Sequence, residues 1–175
     1  MIGLRSHGHQ ADGLAHLRPQ VAAGRGAARA IAVASGKGGV GKTNLSVNLG
    51  LALAQRGVRV LLFDGDLGLA NADVLLGLHP EATLRDVVVG RRRLAEVVVR
   101  APGGLDLAPG GSGLAELLHL DHWGRARLLS ELADVERNYD LVLIDMAAGL
   151  GDDVVEFLSC AEEVLVVTTP EPTAL

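Results

Sequence analysis

The sequence predicts an α/β fold with three αβα layers, in which helices cover both faces of a mostly parallel central sheet. From about residue 30 onward, short apolar runs alternate with segments of helical periodicity. The runs are apolar at consecutive positions, which is typical of strands buried on both faces of a parallel sheet. A glycine-rich segment, residues 36–43, stands between the first apolar run and the first helical segment.

The individual elements follow from local patterns. Leucines at helical spacing predict a helix directly after Thr43, and Thr83 and Asp86 have the capping-box spacing that begins a short helix. Leu128, Leu132 and Val135 repeat at the spacing of one helix face. A last helix is predicted over residues 152–160. The predicted strands cover residues 31–34, 58–63, 105–107, 141–145 and 164–168.

Composition excludes several classes of protein. The 175 residues are 49% hydrophobic and 21% charged, which is globular, and no apolar run approaches the ~20 residues of a membrane-spanning helix. Cys160 is the single cysteine, so one chain holds neither a disulfide nor a Cys-rich metal or iron–sulfur site. A net charge of -5 and the scarcity of aromatic residues argue against direct nucleic-acid binding. These features indicate a cytoplasmic protein.

Residues 36–43 fit the phosphate-binding loop pattern G-x-x-x-x-G-K-[ST]. Glycines allow backbone N–H groups to curl around phosphate oxygens, and the end of the loop coincides with the start of a helix. Lys42 would supply positive charge to the β- and γ-phosphates, and Thr43 a hydroxyl to Mg²⁺. Lys37 is a further lysine outside the generic pattern.

Acidic residues end two of the predicted strands. Asp145 would hold Mg²⁺ opposite Thr43, while Gly149 lets a backbone N–H approach the γ-phosphate. Of Asp64 and Asp66, one would lie near the metal and the other would position the attacking water. Because ligands bind at the carboxyl ends of parallel strands, all these groups are expected at one edge of the sheet.

The loop with Lys37, together with segments 64–71 and 145–149, resembles the MinD/ParA family of deviant P-loop ATPases. Segments 43–49, 66–77 and 171–173 are similar to its flagellar-number regulator (FlhG/FleN) branch. The resemblance implies a P-loop NTPase fold over residues 30–175. Relatives continue beyond this point, so the sheet is expected to be incomplete at the C-terminus, and membrane contact is expected only through a missing C-terminal helix.

The resemblance also implies a mechanism. Two subunits sandwich two ATP molecules with Mg²⁺, Lys37 reaches the partner's phosphates, and Asp66 activates water. ATP favours the homodimer and hydrolysis releases it, so the expected function is an ATPase switch that regulates flagellar number or placement. The expected Mg²⁺ ligands are Thr43, Asp64 and Asp145. The residues expected to bind ATP are Gly36, Lys37, Gly38, Gly39, Val40, Gly41, Lys42, Thr43, Asn44 and Gly149.

Residues 1–29 are interpreted as a flexible segment. The flagellar branch carries an N-terminal motif, D-Q-A-x-x-L-R, that stimulates a signal-recognition-type GTPase. Here Gln10, Ala11 and Leu14 match the motif, whereas His9 and Ala15 do not. Two interpretations therefore stay open: a GTPase contact through residues 9–18, or a plain disordered tail.

Other functions stay open beside the flagellar switch. One is a chromosome-partitioning or division-site-positioning ATPase of the ParA/MinD type, which in its DNA-binding form would need a basic surface. Another is a truncated, non-hydrolysing module that acts on a GTPase through its N-terminal segment. In each case the protein is expected in the cytoplasm, or peripherally at the inner face of the cell membrane.

Overall fold

The computed structural model describes residues 28–66, 69–111, 122–149, 158 and 161–170. The GTPase motif expected over residues 9–18 lies outside the described residues, as do segment 171–173 and most of the helix predicted over 152–160. The domain boundary at residues 29 and 30 therefore stays a prediction.

The described strands and helices alternate along the chain. The strands are β1 (Arg29–Ala34), β2 (Val60–Gly65), β3 (Val99–Arg100), β4 (Asp106–Ala108), β5 (Leu141–Met146) and β6 (Glu163–Val166). The helices are α1 (Lys42–Ala54), α2 (Ala72–Leu76), α3 (Leu84–Val88), α4 (Leu94–Val97) and α5 (His122–Val135), and 3₁₀ turns cover Pro102–Gly104 and Glu136–Asn138.

The strands form one sheet in the order β3-β4-β2-β5-β1-β6. Every neighbouring pair is parallel except β3 and β4, so the predicted mostly parallel sheet is confirmed. β5 lies between β1 and β2, and all six of its residues are buried. The carboxyl ends of these three strands consequently meet at one edge.

Helices cover both faces of the sheet, as predicted. On one face, Leu84, Leu94 and Leu128 from α3, α4 and α5 pack with Phe63 and Ile144. On the other face, α1 and α2 bury residues that include Val47 and Ala72 against alternate strand positions, among them Leu62, Leu107 and Leu143. β2 and β5 are buried at successive positions because both of their faces meet a helical layer.

The capping box predicted at residues 83–86 is present at the start of α3. The Thr83 N–H donates to Asp86 Oδ2 at 3.1 Å, which satisfies one of the backbone donors at the helix start. Among the described helices, none has the length and apolar character needed to cross a membrane.

Removing the Leu143 side chain should show how much this core stabilises the fold. Leu143 is 0% exposed, and a Cβ added to Gly50 of α1 would lie 3.6 Å from its Cδ1, so the layers are in close contact there. We expect Leu143→Ala to lower the free energy of unfolding by about 2–5 kcal/mol in urea denaturation.

The matched control is Leu69→Ala, since Leu69 is 76% exposed. Its expected effect is within about 0.5 kcal/mol. Equal losses for the two variants would contradict the assignment of the core.

Candidate functional site

The glycine-rich loop crosses the edge of the sheet between β1 and α1. Gly39 and Gly41 have φ angles of 77° and 94°, a left-handed backbone that favours glycine. An added Cβ at either position would meet nothing within 4 Å, so the requirement is conformational and not steric. No side chain caps α1, which leaves its first-turn N–H groups directed at the loop region. This is the backbone arrangement that anions bind.

A cleft of about 610 Å³ lies over this loop. Its walls come from the loop, the first turn of α1, the segment after β2 with α2, and the segment after β5. Lys42, which is only 7% exposed, is one of the lining residues. Lys37 is partly buried and is not among the described residues that line the cleft. The lining residues are Gly38, Gly39, Gly41, Lys42, Thr43, Asn44, Asp66, Leu69, Asn71, Leu75, Ala147 and Ala148.

Asp145 lies beneath the loop, near the end of β5, with a fully buried side chain. Its Oδ1 lies 3.0 Å from the Ser46 hydroxyl, which is also 3.0 Å from the Lys42 carbonyl oxygen. Burial raises the pKa of Asp145, while hydrogen bonds from Thr43 and Ser46 and the positive charge of Lys42 oppose the rise. Its Oδ2 accepts no hydrogen bond from the described residues.

Asp64 stands beside Asp145, because the parallel register pairs these two residues of β2 and β5. It is 1% exposed, and its Oδ2 accepts a hydrogen bond from the Ala72 N–H at 3.1 Å. Its Oδ1 is a second buried carboxylate oxygen without a partner in the described part of the chain. Burial raises the pKa of Asp64 to about 7; the Asp145 charge adds to the rise, and the Ala72 N–H opposes it.

Asp66 occupies a different environment from Asp64. Its side chain is only partly buried and lines the cleft, and its Oδ1 accepts a hydrogen bond from the Leu69 N–H at 3.0 Å. The two acids that the sequence left interchangeable are therefore separated, with Asp64 in the sheet and Asp66 at the cleft.

Gly149 is oriented differently from the expectation. Its N–H donates to the Ser35 carbonyl oxygen at 3.0 Å, and its φ is 101°. In this conformation the N–H is engaged within the protein. A contact between Gly149 and a γ-phosphate would require this hydrogen bond to open, and it stays a prediction.

Ser46 is a fully buried polar residue at the site to which the sequence motifs assign no role. It lies four residues after Lys42 and three after Thr43, so all three project from one face of α1. That spacing is the feature of the sequence from which Ser46 could have been assigned to the site. The contact with Asp145 depends on how β5 packs beside α1, which a local pattern does not contain.

The donor set fits Mg²⁺. Two buried carboxylate oxygens lack partners among the described residues, and the Thr43 hydroxyl hydrogen-bonds Asp145. Within the described ranges, no group of three or more His, Cys, Asp or Glu side chains could hold a metal by itself. Mg²⁺ is typically bound through one or two carboxylates together with phosphate oxygens and water, so a fuller protein cage is not required.

This fold and site define a P-loop nucleotide-phosphate-binding αβα domain. A family model described as an AAA domain matches residues 28–175. The chain therefore belongs to this family, and its likeness to flagellar proteins and to solved MinD structures assigns it to the MinD/ParA P-loop ATPases, on the branch of the flagellar-number regulators.

Individual relatives agree with this assignment. The chain is 52% identical to antiactivator FleN of Pseudomonas aeruginosa, over 83% of this chain and 52% of the relative. It is 37% identical to flagellum site-determining protein YlxH of Helicobacter pylori, over 86% of this chain and 51% of the relative. The solved structure of septum site-determining protein MinD from Pyrococcus horikoshii OT3, complexed with Mg-ADP, matches with a TM-score of 0.75 and 33% identity. That match covers 84% of this chain and 60% of that chain. The chain thus spans about half the length of these curated relatives.

The raised pKa of Asp64 predicts a pH dependence of stability without metal. Between about pH 4 and pH 7 the native protein retains a proton on Asp64 that the unfolded chain, with a pKa of about 3.9, has released. The free energy of unfolding should therefore fall as the pH rises through this range. The expected slope from this group is about 1 kcal/mol per pH unit, measured by urea unfolding in a chelator.

Asp64→Asn should remove this part of the slope, since an amide does not ionise. Asp134→Asn is the control, because the Asp134 side chain is 75% exposed. Identical slopes for the wild type and Asp64→Asn would show that Asp64 titrates at its ordinary value.

Proposed function

We propose that the protein is a Mg²⁺-ATP-dependent ATPase switch whose dimerisation follows nucleotide binding, and that it regulates flagellar number or placement. The observation that carries the proposal is a pair of buried carboxylate oxygens, on Asp64 and Asp145, that have no partner in the described part of the chain and lie beside a phosphate-binding loop. Such oxygens are costly unless a cation or a proton satisfies them. The site is therefore suited to a metal-bound polyphosphate.

The residues divide the chemistry among themselves. Loop N–H groups and the buried Lys42 bind the phosphates, and Thr43 with Asp145 and Asp64 would hold Mg²⁺, directly or through water. When bound, Mg²⁺ would neutralise part of the charge on the phosphate oxygens. Asp66, at the cleft surface, orients the attacking water and accepts its proton.

Two features of the surface support a homodimer. Lys37 belongs to the loop yet is absent from the described lining of its own cleft, as expected for a lysine that serves a partner's phosphates. Leu69, Val74 and Leu75 are 76%, 73% and 46% exposed; Leu69 and Leu75 line the cleft, and Val74 adjoins Leu75 on α2. An apolar surface beside a charged site favours burial against a second protein surface.

The flagellar role rests on the likeness to FleN and to YlxH. YlxH is named as a flagellum site-determining protein. The likeness to MinD supports a second candidate, division-site positioning. Replacing Lys42 by alanine at the chromosomal locus separates them. Altered flagellar counts by electron microscopy, with normal septum placement, support the first role, and misplaced septa with normal counts support the second. The protein would work in the cytoplasm or peripherally at the membrane.

Loss of Lys42 should abolish nucleotide binding. We expect Lys42→Ala to weaken Mg-ATP binding at least a hundredfold in isothermal titration, because a buried cation at the β- and γ-phosphates is removed. Lys37→Ala is the matched control, since Lys37 and Lys42 are the two lysines in the sequence. It should retain affinity within about threefold and reduce kcat at least a hundredfold to a low, measurable rate. Wild-type protein that does not bind Mg-ATP would refute the proposed function.

An added charge on the apolar surface should block assembly. Val74→Asp is expected to remain monomeric with Mg-ATP in light scattering while it binds nucleotide normally, since it introduces like charges across a two-fold interface. Asp66→Ala should bind ATP, fail to hydrolyse it and accumulate as a dimer. Val89→Asp is the control, because Val89 is 49% exposed and follows α3 on the opposite face of the sheet. Dimers of Val74→Asp, or monomers of Asp66→Ala, would contradict the proposed interface and cycle.

A further inference from the structure

Ser35 directly follows β1 and makes two hydrogen bonds at the base of the phosphate-binding loop. It is 4% exposed. Its hydroxyl donates to the Lys37 carbonyl oxygen at 2.7 Å, and its own carbonyl oxygen accepts the Gly149 N–H at 3.0 Å. Ser35 is not among the described residues that line the cleft, so neither the phosphate motif nor the cleft assigns it a role.

The hydroxyl contact fixes the peptide unit that joins Lys37 to Gly38. In a planar trans peptide the C=O and the following N–H point in opposite directions. With the Lys37 carbonyl held by the buried Ser35 hydroxyl, the Gly38 N–H is turned away from Ser35. Gly38 is a lining residue of the cleft, and a Cβ added to it would lie 3.9 Å from the Ala148 Cβ. The orientation of this one peptide therefore affects a residue that lines the cleft.

The same bond restrains the backbone torsion at Lys37, and with it the direction in which the side chain leaves the loop. Glycines at 36, 38 and 39 surround Lys37, so the chain on either side offers little resistance to a peptide flip. A single partly buried hydrogen bond can then decide between two loop conformations, since an unsatisfied hydroxyl and carbonyl would each carry a desolvation cost.

We propose that Ser35 is a positioning residue that holds the Lys37–Gly38 peptide in the orientation that turns the Gly38 N–H toward the cleft and the Lys37 side chain outside it. The effect of Ser35 on hydrolysis rests on the proposed ATPase function. The effect of Ser35 on the direction of the Lys37 side chain does not, because it depends only on the loop itself.

The first test uses the small number of lysines in the chain. Lys37 and Lys42 are its two lysines, so acylation by an amine-reactive ester, followed by peptide mass spectrometry, reports both side chains in one experiment. In nucleotide-free protein, Ser35→Ala should raise the acylation rate of Lys37 at least threefold and leave that of Lys42 within about twofold. Ser35→Thr, which keeps the hydroxyl, should restore the wild-type rate. An unchanged Lys37 rate in Ser35→Ala, or a Ser35→Thr variant that behaves like Ser35→Ala, would overturn the proposal.

The second test separates positioning from a general loss of the loop. Ser35→Ala should weaken Mg-ATP binding less than tenfold yet reduce kcat at saturating ATP at least tenfold, and it should lower the melting temperature by no more than about 5 °C. The double variant Ser35→Ala/Lys37→Ala should be no slower than Lys37→Ala alone, because Ser35 acts through Lys37. Additive losses, or a loss of binding as large as that of Lys42→Ala, would refute this role. Wild-type protein without ATPase activity would refute the proposed function, and the acylation rates would still decide the role of Ser35.

Discussion

The parallel pairing of β5 between β1 and β2 is the constraint on which the site depends. The pairing brings Asp64 and Asp145 to the same level of the sheet, at the edge where the loop leaves β1. It is maintained by apolar contacts on both faces, since all six residues of β5 are buried and helices pack above and below. A change of register would separate the carboxylates from the loop and expose alternate core residues together, so the same interactions specify the fold and the site.

Burial of the two carboxylates has a cost that the rest of the protein offsets. Each carboxylate has one hydrogen-bonded oxygen and one without a partner in the described residues, and burial raises the pKa of both groups. Lys42 is the buried cation whose charge acts on Asp145. A cation that binds the native state here would stabilise the fold by mass action. Such binding would account for buried carboxylates at positions that packing alone would fill with apolar side chains.

Much of this architecture could be predicted, because the strands around the loop are continuous apolar runs and the loop has a defined pattern. The elements that were missed are short: α2 has 5 residues, α4 has 4 and β3 has 2, too few for a periodicity to be visible. Ser46 was missed because a serine inside a helix commonly bonds the carbonyl one turn back, as it also does here with Lys42. The Gly149–Ser35 hydrogen bond joins residues far apart in sequence, so it depends on the tertiary packing of the loop after β5 against β1.

The central claim is that the loop and the two buried carboxylates form one site for a metal-bound nucleotide. A crystal structure with Mn²⁺ in place of Mg²⁺ and a non-hydrolysable ATP analogue tests it directly, because anomalous scattering locates the metal independently of the phosphates. The expected result is a metal peak between the Thr43 hydroxyl and the side chains of Asp145 and Asp64, with phosphates on the loop N–H groups. A metal or a nucleotide bound elsewhere, with these carboxylates unchanged, would contradict the account.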